Sequence, residues 1–248
     1  MSGNAALQKA LDADGIAKQA LHVILLVDTS RSMAGARIGQ VNAAIADIGT
    51  HLMNLEAENA NVNFYVSVIT FSDGAECIEG YRGVRVGDME PLTLTTGGYS
   101  NLHLAYETLA PMLEKASRGG MMPDFGGVAP IILLMTDGHP TKSVTKARKA
   151  LEERPWFRAA LRYGIAIGQD DERTEQVLTD FAGDPDCVVG CPDAAALARM
   201  IRVIVLTASR VKSQSNNVRV APQATRDPHA AVKQQIRLTL DEIDTWEW

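Results

Sequence analysis

Cysteine, aromatic residues and net charge are all scarce in this 248-residue chain, and each shortage removes a class of function. Cys77, Cys187 and Cys191 are the whole cysteine complement, an odd and sparse set that excludes a disulfide framework and fits a reducing cytosol. Formal net charge is -6, only 22% of residues are charged, and no Lys/Arg block occurs. The electrostatic footprint of a nucleic-acid binder or a peripheral membrane protein is therefore missing, and neither nucleic acid nor a membrane is expected as a partner. The longest apolar run near the N-terminus, Leu21 to Val27, is about a third of the ~20 residues that a membrane span requires. No basic segment precedes it, so neither signal peptide nor anchor is expected and the chain is read as cytoplasmic. The 46% of hydrophobic residues suffices for a core, and α/β folds of ~200–250 residues often form one domain.

Strand and helix patterns alternate along the chain. Leu21–Val27 is aliphatic without polar alternation, which suits a strand buried on both faces of a parallel sheet. Ile38, Val41, Ile45, Ile48, Leu52 and Leu55 recur at spacings of three and four and predict a helix over about 36–56. Asn63–Phe71 reads as the next strand, and Ser72-Asp73-Gly74 supplies turn chemistry before an extended piece over 75–81, giving a hairpin and hence an antiparallel edge. Further on, Leu102, Tyr106, Leu109 and Leu113 mark a helix and Pro130–Met135 a buried strand. Ser143–Arg154 reads as a helix capped by Ser143 or Thr145, and Tyr163–Ile167 as a strand. Asp171–Phe181 is expected to be helical, Cys187–Val189 a short strand, and Asp193 the cap of a helix to about Ser209. This alternation predicts an α/β fold: a doubly wound, mostly parallel central sheet with one antiparallel edge strand and helices on both faces.

Four segments follow from the composition: an N-terminal helical extension over 1–19, the α/β domain over 20–209, a polar, proline-broken linker over 210–235, and a docking segment over 236–248. In the last, Ile236, Leu238 and Leu240 alternate as in a strand, while Trp246 and Trp248 stand among Asp241, Glu242, Asp244 and Glu247. Tryptophan is enriched among interface anchors, so Trp246 and Trp248 are candidate partner-binding residues.

Open α/β sheets bind ligands outside the carboxyl ends of their strands, near the switch in strand order. The first strand ends in Asp28-Thr29-Ser30-Arg31-Ser32, a carboxylate and two hydroxyls at alternate positions. The strand over 131–135 ends in Thr136-Asp137-Gly138-His139-Pro140, a second carboxylate at the same sheet edge. An oxygen-only set with few charges selects Mg²⁺ or Mn²⁺ over zinc, which favours nitrogen or sulfur. The plainer alternative is a capped turn leading into the helix, a use to which Asp and Ser are well suited. His103 and His139 lie near these loops but are read as ordinary surface or core residues, and the Cys187-x-x-x-Cys191 spacing as structural.

Over about residues 20–209 the chain resembles the von Willebrand factor A domains with a metal-ion-dependent adhesion site. The resemblance implies one Mg²⁺ held by Asp28, Ser30 and Ser32 from the first loop, Asp137 from the last, and a hydroxyl from a middle loop. That middle element, usually Gly-Gly-Thr-x-Leu-x-x-Ala, stands here as Gly97-Gly98-Tyr99-Ser100-Asn101-Leu102-His103-Leu104-Ala105, with one added residue and Ser for Thr. Ser100 is the better match by register with Leu102 and Ala105, and Thr96 is its rival. Arg31 stands where the family commonly has Gly, which would place a cation beside the metal, able to weaken metal binding or to grip a partner's acidic group.

The resemblance implies a non-enzymatic binding module, in which a protein partner's Asp or Glu completes the metal's coordination. Within the family the loops look most like TerY-type proteins of bacterial tellurite-resistance and stress operons. Those are associated with a protein kinase and a PP2C-type phosphatase, and some sets are linked to phage defence. Other cytosolic members act beside MoxR-type AAA+ ATPases. The catalytic alternative is a haloacid-dehalogenase-like phosphohydrolase with Asp28 as nucleophile. Such enzymes carry a second carboxylate two positions on, however, and Ser30 cannot replace its proton transfer at neutral pH.

Overall fold

The computed structural model describes residues 18–58, 62–125, 127–168, 171–191, 193 and 196–205. The expected N-terminal extension, but for its last two residues, the linker and the docking segment with Trp246 and Trp248 lie outside the described residues. Six strands form one sheet: β1 (Gln19–Asp28), β2 (Val62–Phe71), β3 (Ala75–Arg85), β4 (Ile131–Thr136), β5 (Leu161–Ile167) and β6 (Val188–Cys191). Their order is β3-β2-β1-β4-β5-β6; only β3 runs antiparallel, paired with β2 at one edge. The strand order reverses between β1 and β4, so the crevice at the carboxyl ends of these two strands is where such a sheet binds ligands.

Helices α1 (Ala36–Glu58), α2 (Leu102–Met112), α3 (Thr145–Glu152), α4 (Pro155–Ala159) and α5 (Glu172–Ala182) cover the sheet together with a helical stretch, α6, over 196–205. The unbroken apolar character of β1 follows from its position between two cores. Leu21, Val23, Leu25 and Val27 pack in the core that holds Val41, Ile45, Ile48 and Leu52 of α1 and Leu197 and Ile201 of α6. Ile24 and Leu26 belong to the other, with Leu102, Tyr106 and Leu109 of α2, Leu151 of α3, Phe157 of α4 and Phe181 of α5. Each fully buried aliphatic or aromatic side chain contributes about 1.5–3 kcal/mol. On this second face β5 and α5 approach closely at Gly164, where a Cβ would lie 2.6 Å from the Leu178 Cβ.

Among the described residues the predicted elements form, with three differences. β3 extends to Arg85 rather than ending at Tyr81; register shifts against β2 and positive φ angles at Gly80 and Gly83 break the alternation that marks a strand. The helix expected over 143–154 spans Thr145–Glu152, and a further helix that the pattern did not announce starts just past its expected end at Pro155, where the missing N–H costs nothing. The cap position of the expected helix is Val144, so neither Ser143 nor Thr145 caps it; Ser143 Oγ accepts from the Thr145 N–H at 3.4 Å. Asp171 does cap α5, accepting from the Arg173 and Thr174 N–H groups, and Asp193 accepts from the N–H of Ala196.

Candidate metal centre

Asp28 is the last residue of β1 rather than a loop residue, and it is fully buried. Its two oxygens serve different ends. Oδ1 accepts from the Ser30 N–H at 2.8 Å and shapes the turn. Oδ2 accepts from Ser100 Oγ at 2.8 Å and Thr136 Oγ1 at 2.6 Å, joining the middle loop and the end of β4 to the end of β1. Ser30 Oγ lies 3.1 Å from Ser32 Oγ, and Ser32 Oγ donates to Asp137 Oδ1 at 2.8 Å. All five residues expected to hold the metal, Asp28, Ser30, Ser32, Ser100 and Asp137, thus belong to one hydrogen-bonded cluster across the switch point. The simple capped turn accounts for less: Ser30 precedes the 3-10 turn Arg31–Met33, yet its side chain caps nothing.

The middle loop is clamped by backbone. Gly97 N–H donates to Thr29 O at 2.8 Å, Arg31 N–H to Gly98 O at 3.1 Å, Asn101 N–H to Ser72 O at 3.1 Å, and Thr141 N–H to Ser100 O at 2.7 Å. Asp73 Oδ1 adds a bond from the Tyr99 N–H at 2.9 Å. Gly98 is required here: its φ is +76°, and a Cβ would lie 2.5 Å from the Asp73 Oδ2. Under these restraints Ser100, not Thr96, meets Asp28. Thr96 lines a neighbouring cavity and makes no hydrogen bond to the cluster.

The cation beside the cluster is Arg37 rather than Arg31. Arg37 Nη1 pairs with Asp137 Oδ2 at 2.6 Å and donates to Ser32 O at 2.9 Å. Arg31 is exposed, held to the loop through its backbone alone among the described residues. Arg37, Thr136 and Asp73 were missed as site residues. Arg37 reads as a surface charge in the first turn of α1, Thr136 as a strand end, and Asp73 as turn chemistry; only the adjacency of Thr136 to Asp137 was a usable signal. His139 pairs with the capping carboxylate of Asp171 at 2.8 Å, not with the cluster. Cys187 and Cys191 are buried and form no disulfide. Among the described residues no three His, Cys, Asp or Glu side chains converge as a metal cage. A metal here would depend on hydroxyl oxygens.

The sequence pattern of the von Willebrand factor type A domain matches residues 22–203. The chain belongs to that family. A human protein, inter-alpha-trypsin inhibitor heavy chain H6, is 25% identical to this vWA chain in an alignment of 175 positions that covers 64% of this chain and 12% of that one. Proximal thread matrix protein 1 of the mussel byssus superposes with a TM-score of 0.55 at 17% identity over 77% of this chain and 48% of its own. The ArnB paralog VWA2 of Sulfolobus acidocaldarius gives 0.50 at 19% identity over 74% and 44%. The pilus adhesin SpaC of Lactobacillus rhamnosus GG gives 0.55 at 15% identity over 80% and 30%. The chain thus spans less than half of each of these relatives, and at these identities the solved structures share its fold. No helix among the described residues is long and apolar enough to cross a membrane.

Proposed function

We propose that this vWA domain is a metal-dependent protein-interaction module. A divalent cation, Mg²⁺ or Mn²⁺, is held by Asp28, Ser30, Ser32, Ser100 and Asp137 and bridges to an Asp or Glu of a protein partner. The observation that carries this reading is Asp28, a fully buried carboxylate with three hydrogen-bond donors around it and no cation against it among the described residues. A buried carboxylate costs several kcal/mol to desolvate unless an opposite charge compensates. Arg37 compensates Asp137 alone, so the cluster keeps one negative charge and a set of hard oxygen donors, which fit a small divalent ion. A solved structure of the mussel protein has zinc in its MIDAS motif, which supports a divalent ion at a site of this kind. The oxygen-only donor set favours Mg²⁺ or Mn²⁺ here. When bound, the ion supplies a Lewis-acid position for the partner's carboxylate.

In this reading the domain binds and does not catalyse: Ser30 stands where a phosphohydrolase of the haloacid-dehalogenase type would need its second carboxylate, and its hydroxyl is engaged with Ser32. The resemblance of the two loops to TerY-type proteins supports a cytoplasmic setting, with a protein kinase and a PP2C-type phosphatase of a bacterial stress, tellurite-resistance or phage-defence system as the first partners to test. The experiment is co-purification of the tagged chain with those two proteins, with and without chelator. Capture that requires the divalent ion supports the reading, and capture indifferent to both chelator and Asp28→Asn overturns it.

A further inference from the structure

The connection from α2 to β4 lies at the amino edge of the sheet, the edge opposite the oxygen cluster. Its first part is fixed by backbone: Ala116 N–H donates to Met122 O at 2.7 Å, Met122 N–H to Glu114 O at 3.0 Å, and Met121 N–H to Met112 O at 2.9 Å. From this support Phe125 projects with 91% of its surface exposed. The Lys115 ammonium stands 5.6 Å from the centre of the Phe125 ring. Arg118 is exposed on the same connection, and Arg82 of β3 reaches it by donating from Nη2 to Gly119 O at 2.9 Å. None of these three cations has an ion pair among the described residues. The acids beside them are committed: Glu114 pairs with Arg154, and Asp124 accepts from the Ser117 N–H at 3.3 Å and from the Ser117 hydroxyl. Pro123 and the half-buried Trp156 flank Gly127 and widen the apolar surface.

An exposed phenylalanine among three unpaired cations fits an acidic segment that carries aromatic rings: carboxylates pair with the cations, and indoles stack on Phe125 and on arginine. This chain holds such a segment. Residues 241–248 carry Asp241, Glu242, Asp244 and Glu247 without a base, together with Trp246 and Trp248. The α6 helix starts beyond the carboxyl end of β6 and packs on the sheet, so its last residue, Val205, lies toward the amino edge, where the patch is. The 30 residues over 206–235 separate Val205 from Ile236. A coil of that length spans about 30 Å, more than the roughly 24 Å width of a six-stranded sheet. We propose that residues 236–248 dock on this patch of their own chain, with their carboxylates against Arg82, Lys115 and Arg118 and a tryptophan against Phe125. The contact is independent of the metal site. Because its ion pairs are exposed it adds little to Tm, which leaves the segment available to a protein partner.

The test uses the full chain with 5-fluorotryptophan at Trp156, Trp246 and Trp248, and the isolated peptide 236–248, labelled alike, as the undocked reference. In chelator and low salt the fluorine resonances of Trp246 and Trp248 in the full chain should be displaced from those of the peptide by more than a linewidth. Lys115→Glu with Arg118→Glu should return them to the peptide positions, and so should about 1 M salt, where the screening length falls to about 3 Å. Phe125→Ser should return at least one of the two. All three substituted side chains are exposed, so circular dichroism and Tm should match those of the unaltered chain. Resonances that coincide with the peptide's in the unaltered chain, or displaced ones that neither variant moves, overturn the proposal. So do displacements that grow with protein concentration, which would put the segment on a second copy, and displacements that need Mg²⁺ and vanish in Asp28→Asn, which would put one of its acids at the metal site.

Discussion

Asp28 allows metal binding and folding to be separated by one atom. In Asp28→Asn the remaining Oδ1 still accepts from the Ser30 N–H, and the new amide donates to the Ser100 and Thr136 hydroxyls, which rotate to accept it. Every buried polar group keeps a partner, so metal-free stability should stay within about 1 kcal/mol of the unaltered chain. Asp28→Ala instead strips acceptors from the Ser30 N–H and the Thr136 hydroxyl, both in buried residues, at about 1–3 kcal/mol each. A loss of about 3 kcal/mol corresponds to roughly 6–12 °C in Tm for a chain of this size. Ion at 100 times its Kd should stabilise the unaltered domain by about 2.7 kcal/mol, roughly 5–11 °C. Thermal melts in chelator and in Mg²⁺ or Mn²⁺ therefore predict a clear rise for the unaltered chain and none for either variant, with only the alanine variant melting low in chelator. A metal-dependent rise retained in Asp28→Asn would refute the assignment of Asp28 as a ligand.

The other predictions follow from the same geometry. Ser100→Ala should weaken divalent-ion affinity by calorimetry more than Thr96→Ala does, and the reverse order would mean that the middle loop contributes the other hydroxyl. Arg37→Met should raise ion affinity by removing the cation that competes for Asp137, whereas Arg31→Gly should leave it equal or higher and weaken partner capture; lower ion affinity in either variant contradicts this. His22 is 8% exposed, stacks on Tyr65, has no partner at Nδ1, and burial holds its pKa at about 4. The unfolded chain takes up that proton near pH ~6.5, so stability should be full above that pH and fall by about 3 kcal/mol as pH drops toward ~4. His22→Phe should flatten that part of the curve, and an unchanged slope would acquit His22. Removing residues 230–248, with Trp246 and Trp248, should leave Tm nearly unchanged while lowering partner capture; a large Tm loss with capture intact would give the segment a structural role only.

How far the fold was legible depends on what each residue's neighbours demand. Leu21–Val27 announces a central strand because both its faces are covered, and the stripe from Ile38 to Leu55 announces α1 because only one face is. Asp28 and Asp137 were legible because each ends an apolar strand, which puts them at the same sheet edge whatever the loops do. Ser100 followed from register with Leu102 and Ala105, which fall on the buried face of α2. Arg37 was not legible, since its role depends on where the first turn of α1 passes the end of β4, a distance of 100 residues along the chain. The later half of β3 was hidden for a local reason: glycines at positive φ and bulges erase the period of two. Between α3 and α4, Pro155 stands just past the expected end of the helix and starts a short one whose five residues carry too little pattern to announce it.

The switch point explains why the cluster draws on three separate segments. With β1 and β4 adjacent and their helices leaving toward opposite faces, Asp28 and Asp137 come close while no backbone fills the space between them. The connection from β3 to α2 must cross that opening to reach the far face, and its backbone bonds to Thr29, Arg31, Ser72 and Thr141 fix where it crosses. Ser100 is therefore placed by main chain, and its hydroxyl contributes to the cluster without any packing of its own. The same crossing leaves room under the loop, and that room is a cavity lined by Thr29, Thr70, Leu92 and Gly97 among others. The cluster and the cavity beside it are two consequences of one loop.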